Sequence, residues 1–172
     1  MPQSAEAAFR EARTRTRAFE RALERSDREL RSLRGALRKV GAELEAVEQQ
    51  VLDLAHRISE LRREANALRQ KVKKHYKLLR ETDPGLAPAR RRSLARDLTR
   101  LRARLEKVEA EIEELEARYE DAAAREAELI GREVALEREV DAARARHEAL
   151  LKEALRLADS LGRRVRDLKA RL

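Results

Sequence analysis

The chain has 172 residues, 43% charged and only 2% aromatic, with no cysteine and a formal net charge of +8. So few aromatic side chains exclude an ordinary globular core, and the lack of cysteine excludes disulfides and thiolate metal sites. Ala, Leu, Glu, Lys and Arg dominate, which at helical spacing marks a coiled coil or a long helix. Disorder, the rival reading of so charged a chain, fails because the apolar residues are regularly spaced.

The opening residues, MPQSAEAAFREAR, contain no apolar core of signal-peptide length, and no run approaches the eighteen or more apolar residues of a membrane span. A cytoplasmic protein is therefore expected, with no membrane span.

From Phe9 onward, apolar residues recur at alternating steps of three and four. One set runs Phe9, Thr16, Leu23, Leu30, Leu37, Leu44, Val51, Ile58, Ala65, Val72 and Leu79; the other runs Ala12, Phe19, Ser26, Leu33, Val40, Val47, Leu54, Leu61, Leu68 and His75. These are the a and d positions of a heptad, the seam of a left-handed coiled coil. Only Thr16, Ser26 and His75 are polar in it. The pattern predicts a first helix over about 4–82.

The rhythm stops at Thr82-Asp83-Pro84-Gly85. Pro suits the second position of a turn and Gly the third, as in type II, so a turn is expected over 83–87. Pro88 fits the first turn of a new helix, where its missing N–H costs nothing.

A second helix is expected over about 88–172. Its a positions include Leu98, Leu105, Ile112, Tyr119, Val140, His147, Ala154, Leu161 and Leu168, with Glu126 and Glu133 among them. Its d positions are Leu94, Leu101, Val108, Leu115, Ala122, Leu129, Leu136, Ala143, Leu150, Leu157 and Arg164. At 1.5 Å per residue each helix would be roughly 120 Å long.

Helices of this length must cover their apolar stripe, since packing supplies most of their stability. The two seams are nearly equal and the break lies between them, so the chain is expected to fold back as one all-α, antiparallel two-helix coiled-coil hairpin over 1–172. The alternative is a long dimeric coiled coil with a central break. A short loop makes closure cheap in entropy and favours the hairpin. Setting Leu79 opposite Leu94 gives a register in which facing residue numbers add to 173. Phe19 then meets Ala154, Thr16 meets Leu157, and the polar Ser26 meets the polar His147.

Charge is concentrated at the break. Residues 71–104 hold 12 of the 41 basic residues but 3 of the 33 acidic ones, a net charge of +9. The other 138 residues sum to −1, and residues 106–141 alone carry −9. The expected docking cations are Lys71, Lys73, Lys74, Lys77, Arg80, Arg90, Arg91, Arg92 and Arg96. Three partners fit such a tip: an acidic protein surface or larger assembly, a nucleic acid held by its phosphates, or a second copy of this chain. The last would join tip to acidic stretch, or dimerise through the outer faces. With only Tyr76 and His75 nearby for stacking, nucleic-acid binding would be indifferent to sequence. A solvated arginine-rich surface with no partner is the plainer reading.

Enzymatic chemistry has no foothold. His56, His75 and His147 fall at separate levels, no glycine-rich phosphate loop occurs, and no nucleophile has a His and acid placed to orient it. Neither metal nor cofactor is expected. His147 reads as a tolerated core histidine. Gly41, Gly131, Glu126 and Glu133, with Gly35 close by, gather on one level of the register, as a hinge or as ordinary coiled-coil imperfection. Gly weakens a helix interior by about 1 kcal/mol relative to Ala, and a seam glutamate needs solvent or a base such as Arg38 or Lys39.

The sequence therefore points to a non-enzymatic spacer, stalk or adaptor whose basic tip docks on an acidic surface, or alternatively to a sequence-nonspecific nucleic-acid binder. In size and plan such a hairpin is similar to the stalk proteins of type III export machines, a likeness of architecture that many unrelated coiled coils share.

Overall fold

The computed structural model describes residues 2–83, 85 and 87–169, and describes side chains from residue 10 to residue 167 apart from 84 and 86, with residue 7 in addition. Phe9 and Leu168 as seam side chains, Pro84 in the turn, and 170–172 of the second helix lie outside what it describes. The fold is an all-α antiparallel hairpin. Helix α1 spans Pro2–Glu81 and helix α2 spans Pro88–Lys169, and among the described residues there is no strand.

The heptad reading accounts for the core. Among the described residues every buried one occupies an expected a or d position: Leu30, Val40, Leu44, Val47, Leu54, Ile58, Leu61, Ala65 and Leu68 on α1, and Leu98, Val108, Ile112, Ala122, Leu129 and Ala143 on α2, with Ser26 as the one buried polar residue described. A stripe confined to two of seven positions is the narrow seam of a coiled coil.

Two units divide the chain. Unit 2 is Glu43–Glu128 and contains the connection between the helices; unit 1 is Met1–Ala42 with Leu129–Leu172. In unit 2 the core cluster is Leu61, Ala65, Leu68, Val108 and Ile112, with Leu101, Leu105 and Leu115 packed against it. The expected register sets Leu61 opposite Ile112, Ala65 opposite Val108 and Leu68 opposite Leu105, and all six fall in this one group.

Unit 1 keeps the same register on its own terms. Phe19, Thr16 and Leu23 share one groove with Ala154, Leu157 and Leu161, and Ser26 Oγ lies 3.2 Å from His147 Nδ1. A hydroxyl and an imidazole placed together satisfy each other where an apolar neighbour would leave both unpaired. The other polar seam residues of α1 find local partners. Thr16 Oγ1 donates to the Ala12 carbonyl at 3.0 Å, and His75 Nδ1 donates to the Lys71 carbonyl at 2.9 Å. Among the described residues no buried side-chain polar atom lacks a partner.

Candidate docking surface at the helix connection

The connection reverses the chain by a different device from the expected type II turn. That turn needs a left-handed φ at its third residue, and no glycine among the described residues has one. Instead Asp83 organises the bend. Its Oδ1 accepts the Gly85 N–H at 2.7 Å, and its carbonyl accepts the Ala87 N–H at 3.2 Å. An aspartate that holds the backbone two residues on substitutes for a turn hydrogen bond. Helix α1 closes with Thr82, whose N–H and hydroxyl both donate to the Leu78 carbonyl, at 3.0 and 2.7 Å. Helix α2 opens with Pro88, and its first bond runs from the Arg91 N–H to the Ala87 carbonyl at 3.1 Å.

Below the connection, unit 2 is laced across its flanks. Arg62 reaches Glu116 at 2.7 Å and Arg69 reaches Glu109 at 2.7 Å, both on one side of the seam. On the other side Arg57 reaches Glu111 at 3.0 Å and Arg104 reaches Glu64 at 2.6 Å. The first two join e to e positions and the second two g to g, the flanking contacts of antiparallel helices. The Glu111 carboxylate, with Glu60 adding to it, raises the Arg57 pKa above its ordinary value. Unit 1 contains a like pair, Arg146 with Glu29 at 2.7 Å. There the Arg31 guanidinium, hydrogen-bonded to Asp27, lowers that carboxyl's pKa.

Toward the connection this lacing changes character. The e-to-e slot after Arg69 and Glu109 holds Tyr76 and Arg102, and the guanidinium lies 5.0 Å from the ring centroid. A cation over an aromatic face replaces the ion pair. The g-to-g slot after Glu64 and Arg104 holds Lys71 and Asp97, which form no ion pair.

The nine expected docking cations are all exposed and all lie in unit 2. Lys77 Nζ stands 3.8 Å from Glu81, and Arg92 Nε donates to the Pro88 carbonyl at 3.4 Å. Lys71, Lys73, Lys74, Arg80, Arg90, Arg91 and Arg96 make no ion pair or side-chain hydrogen bond with any described residue. Lys73, Lys77 and Arg80 line one open concavity of about 570 Å³ together with Tyr76 and Glu81. In the sequence Tyr76 stands out only as a rare aromatic; its e position, facing Arg102 in the same register, is the signal for the stacked pair.

Of the four residues expected as a hinge, Gly41 and Glu133 are brought together. The Glu133 carboxylate lies over Gly41, where an added Cβ would meet its Oε1 at 3.7 Å. Gly131 faces open space, and Glu126 belongs to unit 2. Neither glutamate forms an ion pair with a described residue, so the bases considered for them, Arg38 and Lys39, do not serve. Both helices run unbroken through Gly35, Gly41 and Gly131. The division between the units, after Ala42 and after Glu128, falls beside these positions.

His56 stands 3.4 Å from Glu60. Among the described residues no three His, Cys, Asp or Glu side chains converge as metal ligands would, and no helix is long and apolar enough to cross a membrane. No protein-family model matches this chain, and no curated protein or solved structure matches it either.

Proposed function

We propose that the chain is a non-enzymatic coiled-coil spacer or adaptor that docks on an acidic protein surface through the cations flanking its helix connection. One observation carries this reading. Residues 71–104 hold 12 basic side chains against 3 acidic ones, and seven of the nine expected cations there form no ion pair or side-chain hydrogen bond with a described residue, whereas Arg57, Arg62, Arg69 and Arg104 close onto carboxylates of the opposite helix. Like charges held together repel, a cost that salt screens over about 10 Å at 0.1 M. An acidic partner would turn that cost into attraction and would steer the encounter.

Phosphate backbones present the same kind of charge, so a nucleic acid is the competing partner. The aromatic ring at the site already carries Arg102 on its face, which leaves little platform for base stacking. A protein partner is therefore preferred.

Two probes separate the readings: a glutamate-rich peptide and a short DNA duplex, each titrated at low and at physiological salt. The proposal expects the peptide to bind at the tip. A variant with Lys73, Lys74, Arg90, Arg91 and Arg92 changed to Gln should lose that binding, while five basic residues of 142–172 changed to Gln should leave it largely intact. Duplex binding that persists at physiological salt, with a log–log slope near −0.9 per phosphate neutralised, would make the protein a nucleic-acid binder. Equal loss in both variants would remove the tip as the working surface.

A further inference from the structure

The large apolar side chains left exposed are not scattered. Among the described residues two lie on α1, Leu52 and Tyr76, but five lie on α2: Ile130, Val134, Leu151, Leu155 and Val165, between 40% and 65% exposed. All five belong to unit 1. By the heptad phase of α2 each sits at an e or b position, beside the buried seam and on the same side of it. Single exposed apolar residues are ordinary, but a row on one face marks an interaction surface.

The row has a symmetry of its own. Ile130 and Val134 are one turn apart, as are Leu151 and Leu155, and the two pairs are separated by three whole heptads. Lay a second copy of this face antiparallel on the first, so that facing residue numbers add to 285. Ile130 then meets Leu155 of the second copy, and Val134 meets Leu151 of the second copy. The two-fold axis repeats both contacts at the far end. Between them the same operation sets Asp141 against Arg144 of the second copy, and Arg144 against its Asp141. Laying the faces parallel would instead oppose Asp141 to Asp141 and Arg144 to Arg144. Apolar and charged residues thus select one orientation together, and such self-complementarity is what a two-fold interface requires.

We infer that the face of α2 formed by Ile130, Val134, Asp141, Arg144, Leu151 and Leu155 binds a second copy of this chain, antiparallel and two-fold symmetric. One layer opposes the association: Glu137 faces Glu148 of the second copy, twice. Four modest apolar layers, two ion-pair layers and two repulsive ones make the dimer reversible rather than permanent. The inference rests on unit 1 and does not depend on what the tip binds.

Sedimentation of the full chain across micromolar to millimolar concentrations tests it. The wild-type chain should show a reversible monomer–dimer equilibrium. Leu151→Asp should abolish the dimer with far-UV circular dichroism unchanged. Asp141→Arg and Arg144→Asp should each weaken the dimer, and the double variant should restore it, because the swapped charges meet again across the axis. Glu148→Lys should tighten the dimer by about tenfold or more, since two repulsive layers become attractive. Every charged position in these variants is exposed, so folding is not at stake in them. A wild-type chain that stays monomeric throughout would overturn the inference. So would a double variant no better than its parents, or a Glu148→Lys chain that associates no more tightly than wild type.

Discussion

Leu61→Ala should cost about 3 kcal/mol of stability, while Leu52→Ala should cost about 0.5 kcal/mol or less. The contrast comes from the heptad phase. Leu61 is 2% exposed at a seam position, within the cluster it forms with Ala65, Leu68, Val108 and Ile112. Truncation removes three carbons at about 0.8 kcal/mol each, roughly 2.4 kcal/mol of transfer free energy. A cavity term adds to it, and stays small because a two-helix layer is open to solvent at its sides. Leu52, nine residues earlier on the same helix, is 64% exposed at an outer position, and alanine's higher helix propensity offsets part of its loss. Urea unfolding followed by far-UV circular dichroism reads both variants. With a slope of roughly 2 kcal/mol per molar for a chain of this size, Leu61→Ala should lower the midpoint by about 1–2 M. Similar shifts for the two leucines would mean that the seam does not run where this account places it.

Three further outcomes follow from the same register. Cysteines at Phe19 and Ala154 should cross-link within one chain at low protein concentration, and a hairpin slipped by one heptad would instead cross-link position 19 to position 147 or 161. Arg62→Glu and Glu116→Arg should each destabilise by about 0.5 kcal/mol, a modest figure because the pair is exposed. Combining them should recover most of the loss in a double-mutant cycle. Amide hydrogen exchange should be faster over 35–41 and 126–133 than over 54–68 and 105–119, because glycines and seam glutamates weaken the former; uniform protection along both helices would remove the hinge reading.

The fold was legible because a coiled coil writes its core at fixed intervals. Buried Leu30, Leu54, Leu61, Val108 and Ala143 all sit where the spacing of apolar residues puts them. Ser26 and His147 confirmed the register because two polar side chains in one layer have a reason to meet. The turn was misread for a local reason. Pro84 and Gly85 carry the composition of a type II turn, but the carboxylate of Asp83 competes for the Gly85 N–H and settles a different backbone path. Glu133 shows another limit: a seam position can be filled by a side chain that lies across a glycine, and spacing alone does not say which base, if any, will answer it. The outer row on α2 is not legible from the seam, because the a and d spacing that marks the core leaves the e and b positions unassigned. For the tip, sequence identified the cations but not their isolation, since pairing depends on whether an opposite flank offers a glutamate. Glu116 and Glu109 do so for Arg62 and Arg69; Arg102 does the reverse for Tyr76.

The claim at the centre of this account is that the helix connection is the working end of the molecule. A photoreactive side chain installed in living cells at Lys74 or at Arg92 puts it to the test, with Lys152 and Arg156 of the other unit as controls. A discrete cross-linked adduct is expected from Lys74 and Arg92, absent when the neighbouring tip cations are changed to Gln, and from Lys152 or Arg156 no adduct other than one with a second copy of this chain. Adducts that arise only from Lys152 and Arg156, or a tip that captures nothing, would contradict it.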